Sequence, residues 1–120
     1  MSHQGDSVAT LRATTFRDSH RSFLKALEAN SIKYNQHVQL GAGPQAAGLT
    51  IEIIITGGWG VLAVACLAWA HARKSRKINV TTKDNQVVWL EGYSADEAAK
   101  ILESARQIAA IDTKPEEDET

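Results

Sequence analysis

Of cysteine, proline and aromatic residues this chain has little: Cys66 alone, two prolines, and three Trp, two Tyr and two Phe in 120 residues. One cysteine excludes an internal disulfide and leaves the redox compartment open. Cys66 also lies in an apolar stretch, where a thiol acts as a small hydrophobe rather than a nucleophile. An excess of charge of either sign is lacking too, with 13 Lys and Arg against 14 Asp and Glu and a net charge of -1. A nucleic-acid surface needs clustered cations, and the only dense cluster is Arg73 to Lys77, so no nucleic-acid partner is expected. No secretory leader is expected either, because the residues before Asn30 hold no apolar h-region.

Motifs of catalysis and ligation are missing as well. His3, His20, His37 and His71 have no second ligand at helical spacing, and zinc needs several converging donors. Gly41, Gly43 and Gly48 fit neither the dinucleotide fingerprint nor the P-loop, and no Lys-Ser/Thr pair follows them. No nucleophile has a local motif around it. The residues therefore predict no enzyme, no metal, no cofactor and no small-molecule substrate.

The feature that is present is the apolar run from Leu49 to Ala72, closed by Arg73, Lys74, Arg76 and Lys77. As one α-helix rising about 1.5 Å per residue it could cross a hydrocarbon core about 30 Å thick. The expected fold class is α+β: a long apolar, transmembrane helix, followed by a β-hairpin and a C-terminal amphipathic helix. A short N-terminal helix and a possible strand precede it. The corresponding regions are a polar 1–48, a span at 49–72, a hairpin-and-helix module at 73–111 and an acidic tail at 112–120.

Along the first region, residues 1–18 read as disordered or weakly helical. Phe23, Leu24 and Leu27 fall on one side of a helix over 20–30 with Asn30 as its C-cap, and 32–40 alternates like a strand. Beyond the span, Ile78, Val80 and Thr82 alternate toward a reversal at Asp84-Asn85, which would set Val80 opposite Trp89 and Thr82 opposite Val87. Ser94 and Glu97 have the spacing of a capping box, and the apolar positions behind them predict a helix over 95–110.

Within the run, Glu52, Thr56, Gly60, Val64, Ala68 and Ala72 recur every fourth residue. Mostly small residues in such a stripe let two membrane helices approach, so this face predicts self-association or a partner helix in the bilayer. Trp69 with Arg73, Lys74, Arg76 and Lys77 reads as an interfacial anchor, and the positive-inside rule puts the C-terminal side in the cytoplasm. The expected function is a small non-enzymatic, single-pass membrane accessory protein with the lipid bilayer as a partner. Two alternatives stand beside it. One is a soluble, cytoplasmic αβ adaptor that binds a partner through its hairpin edge. The other is a membrane-perturbing, holin-like toxin.

The sequence VQLGAGPQAAG, the glycine-interrupted helix ending LAWAHARKSRK, then INVTT, KDNQ, VVWLEG and SADEAAKILESARQI together span Val38 to Ile108. In that layout the chain resembles the effector-associated constant component family, small bacterial proteins found beside conflict and defence genes. The resemblance implies an accessory to effector modules and carries no active site. The Ser/Thr/Arg-rich head, Met1 to Asp18, departs from the family pattern.

Overall fold

The computed structural model describes residues 9–16, 19–37 and 49–113, and they form one mixed sheet covered on one face by three helices. The chain order is β1 (Ala9–Thr15), α1 (His20–Ala29), β2 (Lys33–His37), β3 (Leu49–Ile55), α2 (Trp59–His71), β4 (Arg76–Thr82), β5 (Val87–Trp89), α3 (Ala95–Glu103) and β6 (Ala105–Asp112). Across the sheet the strands lie β2-β3-β1-β6-β4-β5. Only the central pair, β1 and β6, is parallel.

The topology explains why all the helices share a face. β1 and β2 both run antiparallel to β3, so β1–α1–β2 joins parallel strands, and β5–α3–β6 does the same across β4. The link β3–α2–β4 is a third such crossover, directed the other way along strands that point the other way. The right-handed preference of crossovers puts all three helices on one side. Burial agrees: Leu11, Ala13, Ile51, Ile53, Ile78, Val80, Ile108 and Ala110 are in register with one another and are all buried.

The predicted span is not one helix. Leu49–Ile55 is β3, residues 56–58 turn the chain, and Trp59–His71 is α2. Gly58 makes the break with φ +94°, a conformation glycine adopts without a Cβ penalty, and it takes the N-cap position. The 13 residues of α2 rise about 20 Å, short of a bilayer core. Among the described residues no helix is long and apolar enough to cross a membrane. The transmembrane, single-pass reading is corrected accordingly, and with it the orientation drawn from the positive-inside rule. The apolar character has another origin. β3 is an interior strand between β2 and β1, and α2 touches both α1 and α3 while lying on the sheet. A helix enclosed on three sides is apolar nearly all round without lipid.

Three further expectations are corrected. The predicted disorder over 1–18 gives way at Ala9–Thr15 to β1, an interior strand whose inward positions are Leu11, Ala13 and Thr15. The predicted helix over 95–110 ends at Glu103, and Ala105–Asp112 is β6, paired on both sides. Its Ala-rich sequence has helical propensity, but two ladders of sheet hydrogen bonds outweigh a preference of a few tenths of a kcal/mol per residue. The hairpin, lastly, is one residue out of the expected register. Asn85, at φ +67°, extends the loop to Lys83, Asp84 and Asn85, with the Asn85 N–H donating to the Thr82 carbonyl (2.9 Å) and the Thr82 N–H to the Gln86 carbonyl (2.9 Å). A turn ending in a left-handed third residue is the common three-residue hairpin. Asn79 therefore faces Trp89, Val80 faces Val88, and Thr81 faces Val87.

Two local readings do match the structure. α1 buries Phe23, Leu24 and Leu27, though its left-handed residue is Ser31 (φ +59°) and not the C-cap Asn30. The Ile32 N–H reaches the Leu27 carbonyl (2.9 Å) and the Ser31 N–H the Glu28 carbonyl (3.0 Å), a Schellman closure sealed by two buried side chains. At α3, Ser94 and Glu97 form the capping box, Ser94 Oγ accepting from the Glu97 N–H and Glu97 Oε1 from the Ser94 N–H, each at 3.2 Å. The proposed strand over 32–40 is observed as Lys33–His37, with Ile32 before it outside the strand; residues 38–40, the glycine-rich connector and the acidic tail beyond Thr113 lie outside the described residues.

Candidate interaction surface

A slip of one residue in a strand exchanges its two faces. In the observed register Val87 and Trp89 stand opposite Thr81 and Asn79, on the sheet face that carries no helix among the described residues. Val87 is 58% exposed and Trp89 47% exposed, the largest apolar exposures in this part of the molecule, and Tyr93 just beyond is also exposed. β5 is the last strand of the sheet, so its outer edge adjoins this apolar pair. The strand ends at Trp89 because Leu90–Gly92 tightens into a 3-10 turn that buries Leu90. There the Glu91 carboxylate continues the ladder by accepting from the Ile78 N–H (3.1 Å). His71 Nε2 donates to the Glu91 carbonyl (3.0 Å), which ties this corner to the end of α2.

A polar clamp joins the end of α2 to the start of β4 and the end of β6. Trp69 is buried, stands edge-on to Phe23 with ring centroids 5.4 Å apart, and donates from Nε1 to Ser22 Oγ (2.9 Å). The Arg76 guanidinium lies 4.8 Å from the Trp69 ring centroid and bonds the buried Asp112 through Nε (3.1 Å). Ser75 Oγ donates to the other Asp112 oxygen (2.6 Å). A buried carboxylate costs several kcal/mol unless paired, and here an arginine and a hydroxyl pair it. The expected anchor is thus divided: Trp69 and Arg76 turn inward, Arg73 is half-buried, and Lys74 and Lys77 are exposed.

The expected helix-association face is divided as well. Gly60, Val64 and Ala68 share the exposed side of α2, and Ala72 is its exposed C-cap. Thr56 is exposed in the turn before the helix. Glu52 belongs to β3, half-buried on the uncovered sheet face in register with Arg12 and Asn35. A narrow cleft of about 160 Å³ opens at the start of α2, between Ile32, Ile54, Thr56, Gly58 and Val61.

Cys66 is fully buried, and burial pushes its thiol up to about 12, so it stays protonated at neutral pH. Among the described residues no group of His, Cys, Asp and Glu is placed to hold a metal ion. Sequence reasoning named neither Val87 nor Trp89 as surface residues. The signal that could have found them was Asn85, whose tolerance of left-handed geometry allows the third loop residue. Against protein-family models, curated proteins and solved structures, the chain has no match.

Proposed function

We propose that this chain is a non-enzymatic interaction module that receives an extended segment of a partner protein along β5. Strand addition to a sheet edge draws affinity from main-chain hydrogen bonds and specificity from pockets for alternate side chains. The observation that carries the reading is the placement of Val87 and Trp89, exposed side by side on the uncovered face at the outermost strand. Trp is among the residues that supply much of the binding energy where partners dock, and Trp89 is exposed here. The resemblance to effector-associated constant components supports an effector protein as that partner.

A photocrosslinking amino acid at position 87 of the full chain, with position 35 on β2 as the control, tests this in cells. Adducts from 87 that disappear on adding Trp89→Ser, with none of the same mass from 35, are the expected result. Equal adducts from both positions, or none from 87, would overturn the assignment.

A further inference from the structure

α2 lies in the middle of the helical layer, with α1 on one side and α3 on the other. Its fourth side faces outward, and there Gly60, Val61, Val64 and Ala68 are exposed, Val64 by 51%. A surface helix carries charged or polar residues on its outward side, whereas one that is apolar all round is enclosed all round. From Gly60 to Ala70, α2 has no charged residue. No long side chain stands on this ridge, so another helix can approach to about 8 Å, the short end of the usual spacing. The helices on either side differ in charge. α1 exposes Arg21 and Lys25 with Glu28, whose carboxylate already accepts from the Tyr34 hydroxyl. α3 exposes Asp96, Glu97 and Glu103 with Lys100. Arg21, Lys25, Asp96 and Glu103 have no ion pair among the described residues.

From this neutral ridge between a basic and an acidic flank, we propose that the outer side of α2 is the interface of a homodimer. In it α2 of one copy packs parallel to α2 of the other about a two-fold axis. An axis along α2 sets α1 of each copy opposite α3 of the other, so that unlike flanks meet twice. An axis across α2 would set α1 against α1 and α3 against α3. Charge complementarity selects the first arrangement. It also selects the occupant, because each flank is matched by the other flank of the same surface, as an isologous interface requires. The net charge of -1 adds little repulsion between copies. A helix of 13 residues is about 20 Å long and three packed helices are about 25 Å across, which gives about 500 Å² per copy. That is the lower end of specific association, so the dimer dissociates on dilution. The two sheets become its outer layers, and both β5 edges stay open.

Sedimentation equilibrium of the full chain from about 1 μM to about 1 mM tests this. A monomer–dimer equilibrium is expected. Val64→Glu should weaken it at least about tenfold by burying an unpaired charge, and Ala68→Glu should do the same. Both sites are exposed in the single chain, so circular dichroism of the two variants should match that of the natural protein. R21E/K25E should weaken the dimer about tenfold, because like flanks then meet. Adding D96K/E103K to that variant makes the flanks unlike again and should restore association. Trp89→Ser should leave the equilibrium unchanged. A chain that stays monomeric throughout the range would overturn the proposal. So would association that survives both glutamate variants, that ignores R21E/K25E, or that fails to return in the fourfold variant. Loss of association on Trp89→Ser would overturn it too, by placing the contact at the β5 edge.

Discussion

β2 and β5 close the sheet at its two ends and expose opposite chemistry. β2 turns Lys33 and Asn35 to the uncovered face, both exposed, whereas β5 turns Val87 and Trp89 there. On the covered side of β2, Tyr34 donates to Glu28 Oε2 (2.5 Å), and that bond, with partial burial, raises its phenol above the usual tyrosine value. Gln36 accepts from His20 Nε2 (3.3 Å), so both inward polar side chains of β2 are tied to α1. Lysine and polar side chains on an outer strand discourage pairing with another chain. β5 lacks such side chains and is limited instead by its length, three residues closed by Glu91. Shortness leaves few unpaired main-chain groups on β5, which limits open-ended aggregation along that edge.

The comparison extends to the helical layer, where Trp69 contacts elements of both halves. It meets Ser22 and Phe23 of α1, the crossover that ends at β2, and Arg76 of β4, the neighbour of β5. Trp69→Ala should therefore have the largest effect, a loss of about 3–5 kcal/mol in unfolding free energy, the usual cost of emptying a large aromatic site. Chemical denaturation followed by circular dichroism measures it. A loss below about 1 kcal/mol would mean that the halves are held together by the sheet alone.

The next effect is confined to the β5 side. Arg76→Met keeps much of the side-chain volume over Trp69 but removes the charged donor from Asp112. The buried carboxylate retains Ser75, so the expected cost is about 1.5–3 kcal/mol, the range for a hydrogen bond to a charged group. Hydrogen exchange should quicken more in β4 and β6 than in β2 and β3. Uniform quickening would show that the clamp stabilises the whole sheet rather than one half.

How much of this was legible in the sequence follows from the range of the forces involved. The capping box at Ser94 and Glu97 and the buried side of α1 are set by neighbours a turn away, and both were readable. The division of Leu49–Ala72 was not, because enclosure by protein and enclosure by lipid select the same apolar side chains. Ile51, Ile53 and Ile55 of β3 share the alternation of a strand, but Ile54 between them hides it. β1 escaped notice for the converse reason: its buried face uses Ala13 and Thr15, small or polar residues that hydropathy ignores. Thr15 is acceptable there because its hydroxyl meets His20 Nδ1 at 2.7 Å. At the candidate surface the residues were visible and their direction was not, since one loop residue decides which face Trp89 takes.

The smallest predicted effect isolates that kind of residue at both edges. Ser31 and Asn85 are the described non-glycine residues with positive φ, and each starts the chain into an outer strand, Ser31 before β2 and Asn85 before β5. A left-handed conformation costs an ordinary L-residue about 1–2 kcal/mol, whereas Asn visits it more readily through local hydrogen bonding by its short side chain. Glycine removes the penalty but gives back about 0.4–1 kcal/mol through the greater freedom of its unfolded chain. Ser31→Gly should therefore stabilise the protein by about 0.5 kcal/mol, while Asn85→Gly should stay within about 0.3 kcal/mol of zero. Paired thermal melts resolve the difference. A gain at Asn85 equal to that at Ser31 would mean that the β5 loop is strained, and that the register exposing Trp89 is held against a preference of the loop rather than with it.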